Sequence, residues 1–183
     1  PDVLEKIVTA LAFQVGSEVN HNEIAQLVGV DKNTVARYIY LLQLSYVIYP
    51  LHSFSRNLRN EIKTNQKIYF YDNGVRNSII QNFNPLALRD DVGALWENFL
   101  MAERMKRNSH YNVFCNRYFW RTTQQQEIDY VEEQDGVISG FEFKWNPKAK
   151  TTIPSKFTET YNAKVSIISK DNFRDFILKP GSD

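Results

Sequence analysis

The sequence predicts a mixed α/β (α+β) fold in two parts, an N-terminal winged helix-turn-helix and a C-terminal domain of order helix, three strands, helix, strand. Two observations predict this division. Before residue 45, three segments have apolar residues at the spacing of amphipathic helices. After residue 110, three strand-like runs are instead joined by short polar turns. A chain of 183 residues is long enough for two small domains.

The first third of the chain has the start and stop signals of three helices. The first helix is predicted over residues 2–15, Asn20 or Asn22 caps a second helix that stops at Gly29, and Asp31 caps a third. The third helix has an inward apolar stripe of Val35, Ile39 and Leu42. Three helices joined by a tight turn containing glycine are typical of a helix-turn-helix.

Two strands are predicted after these helices, over residues 46–51 and 67–71, with a polar loop of about fourteen residues between them. A helix-turn-helix followed by two strands is a winged helix, and the wing would carry His52, Arg56, Arg59 and Lys63. We therefore assign residues 1–73 to a winged-helix domain. Residues 74–90, with a short helix and Pro85, form a connector to a second domain over residues 91–183.

The second domain begins with an amphipathic helix from Val92 to about Arg107. Strands over residues 112–122, 125–133 and 137–145 follow, and their short turns favour antiparallel pairing. A helix over residues 154–162, a strand over residues 164–169 and a terminal helix over residues 172–178 complete the domain.

The composition excludes several classes of protein. The net charge of +1 does not by itself indicate nucleic acid, although local basic runs such as residues 144–156 could hold phosphates. The single cysteine, Cys115, excludes an internal disulfide and zinc sites with paired cysteines. No signal peptide or membrane-length apolar run is present, so we expect a cytoplasmic protein with no membrane partner. Because the chain opens with Pro1, we also expect a fragment of something longer.

Strand parity brings two carboxylates and an amine together. Side chains at i and i+2 share one face of a strand, so Glu142 and Lys144 point the same way, and Asp129 shares a face with Val131 while Ile128 takes the other. A meander can set Asp129 beside Glu142, and two carboxylates can chelate Mg²⁺ or Mn²⁺. With Lys144 to steady a phosphate, this set suits metal-dependent hydrolysis of a phosphodiester. The alternative for Glu142 and Lys144 is an exposed ion pair along one strand.

Glu97 lies between Trp96 and Phe99 in an apolar part of the helix that opens this domain. A carboxylate in that setting could supply a further metal ligand. The alternatives are that Glu97 caps the helix, pairs with Arg104 or is half exposed.

Five segments in fixed order resemble a known family: residues 68–74, 93–99, 118–122, 127–131 and 142–145. They are similar to the uncharacterised C-terminal region of bacterial and archaeal AAA-type ATPases, whose chains carry a nucleotide-binding domain, then a winged helix, then a domain resembling PD-(D/E)xK nucleases. The resemblance implies a restriction-endonuclease-like fold for residues 91–183 and assigns Glu97, Asp129, Glu142 and Lys144 to the nuclease-like signature. The Asp follows Ile128 rather than proline, which departs from the signature. Arg121 matches a recurring arginine of the family.

The resemblance implies that the ATPase domain of the same polypeptide is a partner and that ATP binds only there. The present sequence has no Gly-x-x-x-x-Gly-Lys-Ser/Thr motif, so we do not expect it to hydrolyse ATP itself.

DNA is the partner that the predicted winged helix suggests. Side chains at the start of the third helix and in the wing would contact it: Lys32, Asn33, Thr34, Arg37, Arg56 and Arg59. Three functions stay open at this point. The chain is a DNA-associated, metal-dependent nuclease-like module, a non-catalytic module that binds DNA or protein, or a regulator that packs on the ATPase domain.

Overall fold

A computed structural model of the chain describes residues 2–55 and 66–178. Within these ranges the fold is mixed α/β, with seven α-helices and seven strands. The helices are α1 (Asp2–Phe13), α2 (His21–Val28), α3 (Lys32–Leu44), α4 (Asn73–Ile79), α5 (Val92–His110), α6 (Ser155–Tyr161) and α7 (Phe173–Leu178). The strands are β1 (Glu18–Val19), β2 (Ile48–Ser53), β3 (Gln66–Phe70), β4 (Asn116–Arg121), β5 (Glu127–Gln134), β6 (Val137–Phe143) and β7 (Lys164–Ile168). None of the helices in these ranges is both long enough and apolar enough to cross a membrane.

The chain divides into two compact units. The first contains Pro1–Leu51 and Asn65–Ala102, and the second contains His52–Thr64 and Glu103–Asp183. Residues 74–90, the predicted connector, lie within the first unit.

The helix caps of the first unit are those that the sequence predicts. Asn20 caps α2 by accepting a hydrogen bond from the backbone N of Asn22 at 2.9 Å. Gly29 ends the helix in the left-handed region, with φ +78, which favours glycine. Asp31 caps α3 by accepting from the backbone N of Asn33 and of Thr34, at 2.8 and 3.0 Å. Each cap satisfies backbone donors that the first turn of a helix leaves without partners.

The predicted apolar stripe of α3 is buried as expected. Fully or nearly buried side chains of the first unit include Ile7, Leu11, Ile24, Val35, Ile39, Ile48, Ile68, Phe70 and Leu100. The strands of this unit are β1, which pairs antiparallel with β3, and β2, which lies next to β3. Strand β1 is too short to leave a periodic signal, and the sequence did not predict it. The winged-helix interpretation itself stays a prediction.

An arginine network fixes the segment after β3. The buried Arg76 of α4 donates from Nε to the carbonyl of Ala12 at 2.8 Å and pairs with Asp91. Arg89 also pairs with Asp91, from Nε to Oδ1 at 2.8 Å. The hydrogen bond from Arg89 is the largest influence on the Asp91 carboxyl and, with Arg76, lowers its pKa to about 2. The predicted connector is thus tied to α1 by one buried hydrogen bond and to Asp91 by two ion pairs.

The predicted meander of the second unit is confirmed. Strands β4, β5 and β6 pair antiparallel in chain order, and β7 lies parallel to β6. The last two residues of β2, His52 and Ser53, pair parallel with β4. Asp135 and Gly136 form the two-residue turn between β5 and β6, both at positive φ, which is the conformation that an Asp-Gly hairpin adopts.

Four predicted boundaries in this region are wrong by two to four residues. Helix α5 continues to His110, and Asn112 then takes a φ of +54, so β4 begins at Asn116 rather than Asn112. Gln125 has a φ of +63 and belongs to the turn before β5. Strand β6 ends at Phe143, which leaves Lys144 and Trp145 beyond the strand.

The strands of the second unit bury apolar side chains on both faces. One face holds a cluster that includes residues of α6: Phe54, Trp120, Ile128, Val131, Ile138, Phe157 and Ala163. Aromatic rings of β5, β6 and α7 pack on the other face, where the rings of Phe141 and Phe176 lie 4.9 Å apart and those of Tyr130 and Phe143 lie 6.3 Å apart.

Candidate functional site

A β-bulge lies in β5 at the predicted metal ligand Asp129. Tyr118 of β4 pairs with Val131 of β5, and Trp120 pairs with Ile128. One residue of β4 therefore faces two residues of β5, Asp129 and Tyr130. A bulge of this kind bends the strand and re-aims a side chain, and bulges occur often next to active sites.

The bulge corrects part of the predicted parity. Strict alternation places Ile128 on the face opposite Val131, whereas both residues belong to the same buried cluster with Phe157. The extra residue shifts the alternation by one position between them. Tyr130 keeps the opposite face, where its hydroxyl donates to Glu132 at 2.8 Å.

Asp129, on β5, lies beside the end of β6. The paired residues nearest to it are Tyr130 and Phe141, so the next step of the same register sets Asp129 opposite Glu142. The Oδ2 atom of Asp129 accepts a hydrogen bond from the backbone N of Phe143 at 2.7 Å. The carboxylate is thereby fixed against the last residue of β6.

Glu142 and Lys144 contact each other across this strand end. The Nζ atom of Lys144 lies 2.7 Å from Oε1 of Glu142, and the two side chains are 29% and 14% exposed. The backbone N of Lys144 donates to the carbonyl of Ile168 at 2.9 Å, which holds the residue beside β7. The other carboxylate oxygen of Glu142, Oε2, is buried, and no donor among the described residues reaches it.

A buried carboxylate oxygen without a donor is costly, about 1–3 kcal/mol and more for a charged group. A hard divalent cation satisfies such an oxygen, because Mg²⁺ and Mn²⁺ prefer carboxylate ligands. The donor set of Asp129 and Glu142 therefore fits a divalent metal. Lys144 supplies a cation at the same place, which suits the charge of a phosphodiester.

Glu97 has a different environment, within the first unit. Its Oε1 accepts from the hydroxyl of Tyr69 at 2.6 Å and lies 3.5 Å from Nζ of Lys67. Gly16, at φ +75, approaches the same carboxylate so closely that an added Cβ would lie 3.2 Å from Oε1. The alternative pairing of Glu97 with Arg104 is wrong. Seven residues of helix separate their backbones by about 10 Å, and Arg104 pairs with Glu132 instead.

The structure thus brings Asp129, Glu142 and Lys144 together in the second unit, and it places Glu97 with Lys67 and Tyr69 in the first. In residues 2–55 and 66–178, no group of three or more His, Cys, Asp or Glu side chains is arranged to hold a metal. The role of Glu97 as a third ligand stays a prediction.

The predicted DNA-contact residues of α3 are located at its first turns. Lys32, Asn33 and Arg37 are exposed. Thr34 is half-buried, and its hydroxyl donates to Oδ2 of Asp31 at 2.6 Å, so it serves the cap. His52, predicted in the wing, lies instead in strand β2. Arg56, Arg59 and Lys63 lie outside the described residues.

The second half of the exposed face of α3 is apolar. Tyr40, Leu41 and Leu44 are all exposed and follow Arg37 at helical spacing. This face combines a polar start with an apolar end, and contact residues of DNA-reading helices are usually at the start.

A buried ion pair on the opposite face of β5 was missed by the sequence analysis. The guanidinium of Arg104 donates from Nε to Oε1 of Glu132 at 2.9 Å and from Nη2 to Oε2 at 2.6 Å. Asn108 and Tyr130 also donate to Oε1, and Nη1 of Arg104 reaches the carbonyl of Phe176. One signal could have indicated this pair: Arg104 follows the buried Leu100 by one helical turn, and a buried arginine requires an acidic partner.

Cys115 lies beside this ion pair. Its Sγ accepts from the side-chain amide of Asn108 at 3.3 Å. Burial is the largest influence on the thiol and raises its pKa to about 11. A thiol of this kind is unreactive at neutral pH.

Two family models match the chain. Residues 1–86 match one described as a domain of unknown function (DUF8612), and residues 92–181 match another described as a domain of unknown function (DUF4143). The family that the second model describes is typically a C-terminal region of AAA-ATPase-like proteins.

The similar curated proteins are all uncharacterised. One of Mycobacterium tuberculosis and one of Mycobacterium bovis are each 28% identical over 87% of this chain and 36% of their own length. One of Haemophilus influenzae is 23% identical over 96% of this chain and 40% of its own length. The chain therefore spans well under half of the relatives that it matches. No solved structure is significantly similar to it.

Proposed function

We propose that this chain is the C-terminal part of a AAA-type ATPase and that residues 91–183 are a metal-dependent, nuclease-like module acting on DNA. The observation that carries the proposal is the buried Oε2 of Glu142, which no donor among the described residues reaches. It belongs to the residue before Phe143, whose backbone N holds the carboxylate of Asp129 at the β5 bulge. A buried oxygen with this environment is suited to a cation ligand.

Each side chain has a distinct role in this proposal. Asp129 and Glu142 would hold Mg²⁺ or Mn²⁺, which supplies Lewis acidity and a nucleophilic water when bound. The hydrogen bond from the Phe143 backbone keeps the Asp129 carboxylate in place. Lys144, held against Oε1 of Glu142, places a cation where the charge of a phosphodiester would be stabilised.

Two comparisons support the association with an ATPase. The second family model describes a region that is typically C-terminal in AAA-ATPase-like proteins, and the relatives are more than twice as long as this chain. ATP would bind in that further domain. Residues 1–73 would form the winged helix, whose Lys32, Asn33 and Arg37 at the exposed start of α3 could contact DNA.

The test is cleavage of plasmid and branched DNA in Mn²⁺ or Mg²⁺. We expect cleavage by the wild-type chain and a loss of at least a hundredfold in Asp129→Asn and Glu142→Gln, because each substitution removes a ligand charge. Mn²⁺ should also raise the thermal unfolding midpoint of the wild type, since a ligand that binds the folded state stabilises it by mass action. Neither variant should show this stabilisation.

Glu133→Gln is the matched control, because it makes the same chemical change on β5 at a residue outside the site. Equal cleavage by all the proteins would show a contaminating nuclease. If the wild type shows neither cleavage nor stabilisation by Mn²⁺, the proposal is wrong.

A non-catalytic module that binds DNA or protein is the second candidate. The exposed apolar side chains of α3, Tyr40, Leu41 and Leu44, favour it, because contiguous exposed apolar surface often marks a protein interface. The partner would be the ATPase domain of the longer chain. This candidate would be favoured if the wild type shows no cleavage and the double variant Asp129→Asn, Glu142→Gln still binds DNA in a salt-sensitive way. A loss of DNA affinity in the double variant Lys32→Gln, Arg37→Gln would instead show that α3 contacts DNA.

A further inference from the structure

Four lysines lie between the end of β6, at the candidate site, and the first turn of α6. They are Lys144, Lys148, Lys150 and Lys156. The run from residue 144 to residue 156 contains no acidic residue, and the next along the chain is Glu159. In a chain of net charge +1, this is a local concentration of positive charge.

Three of these lysines present their charge to solvent. Lys148, Lys150 and Lys156 are exposed, and among the described residues none of them pairs with a carboxylate. The loop makes its own turn, in which Asn146 accepts from the backbone N of Lys148 through Oδ1 and from that of Ala149 through its carbonyl, both at 3.0 Å. The turn uses backbone groups and leaves the ammonium groups available.

Both ends of this segment are fixed, and the first of them lies at the candidate site. At the start, Lys144 contacts Glu142 and its backbone N bonds to Ile168. The ring of Trp145 lies 4.6 Å from Nζ of Lys170, which adds a fifth cation. At the far end, the ring of Phe157 is fully buried and anchors the first turn of α6, which carries Lys156. The loop is therefore a held surface that begins at the candidate site.

We infer that residues 144–156 form a surface that binds the phosphodiester backbone of DNA and leads it to the Asp129–Glu142 pair. The statement that the DNA is led to the Asp129–Glu142 pair rests on the proposed function, but the surface would bind DNA whether or not the site cleaves it. The chain from Lys144 to Lys150 spans at most about 20 Å, and the turn at Asn146 shortens that distance. A DNA strand advances 3.4 Å per charge, so this surface covers at most about six phosphates. Binding by ammonium groups releases counterions, and its affinity therefore falls steeply with salt.

The experiment measures binding of a fluorescein-labelled DNA oligonucleotide, single-stranded and duplex, by anisotropy in EDTA over a range of NaCl concentrations. The test variant is Lys148→Gln, Lys150→Gln, Lys156→Gln. With three phosphate contacts removed, we expect the slope of log K against log salt to fall by about 2 for single strands and about 2.7 for duplex. At 0.1 M salt, relative to 1 M, this corresponds to a loss of affinity of about a hundredfold for single strands and about five-hundredfold for duplex.

The matched control is Lys6→Gln, Lys106→Gln, Lys164→Gln, which removes the same net charge elsewhere in the chain. We expect it to keep at least a third of the wild-type affinity. Thermal unfolding of both triple variants establishes that they are folded. An equal loss in the control would overturn the inference, because the effect would then be net charge alone.

Two further arms separate the sources of failure. Because binding is measured in EDTA, metal-dependent cleavage does not occur in this assay, and a negative result in the cleavage test leaves the binding test intact. Unchanged affinity in the test variant, with loss in Lys32→Gln and Arg37→Gln, would overturn the inference and assign binding to α3. Binding to phosphatidylserine vesicles in place of DNA, lost in the test variant, would also overturn it.

Discussion

Replacing Glu132 by glutamine tests whether the buried pair with Arg104 stabilises the strand that carries Asp129. Glu132 is 8% exposed and Arg104 is 9% exposed. The two oxygens of Glu132 accept four hydrogen bonds, two from Arg104 and one each from Asn108 and Tyr130. Glutamine has one acceptor oxygen, so its NH2 group would face an N–H donor of Arg104 or another donor of the network. Arg104 would also lose its counter-ion. Removing one partner of a buried ion pair costs about 3–5 kcal/mol.

The assay is urea unfolding followed by tryptophan fluorescence, with thermal unfolding as a second measure. For a chain of this length, a loss of about 3–5 kcal/mol corresponds to a midpoint lowered by roughly 6–20 °C. Glu133→Gln is the control, since Glu133 is the next residue of β5 and takes no part in the buried network. We expect it to change the free energy of unfolding by less than about 0.5 kcal/mol. An effect of Glu132→Gln below about 1 kcal/mol would refute the reasoning.

The same carboxylate predicts a direction of pH dependence. Burial by itself raises the pKa of Glu132, but the hydrogen bonds and charge of Arg104, with the donors Asn108 and Tyr130, outweigh it and lower the pKa below 4.5. Because the folded-state pKa is depressed, this contribution to stability is present above pH 4.5 and is lost as pH falls through the folded-state pKa. The difference between wild type and Glu132→Gln should therefore narrow on acidification below pH 4.5. A difference that widens there would contradict the assignment.

Two further predictions concern packing and reactivity. In Gly140→Ala the new Cβ would lie 3.0 Å from side-chain carbons of Phe157 and Val165, and the overpacking should cost about 1–3 kcal/mol in urea unfolding. Gly93→Ala, with no atom within 4 Å, should be neutral or stabilise α5 by up to about 1 kcal/mol, and equal effects of the two would count against the packing described. For Cys115, a pKa of about 11 leaves roughly one thiol in a thousand ionised at pH 8. Labelling by a disulfide reagent should therefore be slow in the folded protein, accelerate about tenfold per pH unit and become fast in urea. Fast labelling of the folded protein at pH 8 would contradict the raised pKa of Cys115.

Local signals allowed much of the fold to be predicted from sequence. The caps at Asn20 and Asp31, the stop at Gly29 and the Asp-Gly turn before β6 are set by neighbouring residues, so a single sequence contains them. The strand order β4, β5, β6 follows from short connections, which favour antiparallel neighbours.

Features that depend on distant residues could not be predicted in the same way. The bulge at Asp129 exists only in relation to the register with β4, and it reversed the expected face of Ile128. Glu97 was placed correctly on its helix, but its partners Lys67 and Tyr69 come from β3, about thirty residues earlier. Likewise, the sequence alone could not decide whether Arg104 pairs with Glu97 or with Glu132, and the fold brings it to Glu132.

Two glutamates of the same strand pair show why the β6 end is the better candidate for function. Glu132, on β5, has four donors on its two oxygens, which is the environment of a carboxylate that stabilises the fold. Glu142, on β6, has Lys144 on one oxygen, while among the described residues its other, buried oxygen has no donor. The bulge that interrupts pairing lies at the neighbouring Asp129. Both features cost stability, and such costs commonly concentrate where a ligand offsets them. If this strand end is a cation site, Mn²⁺ should raise the thermal unfolding midpoint of the wild type and leave that of Glu142→Gln unchanged, and equal midpoints with and without Mn²⁺ in the wild type would contradict the assignment.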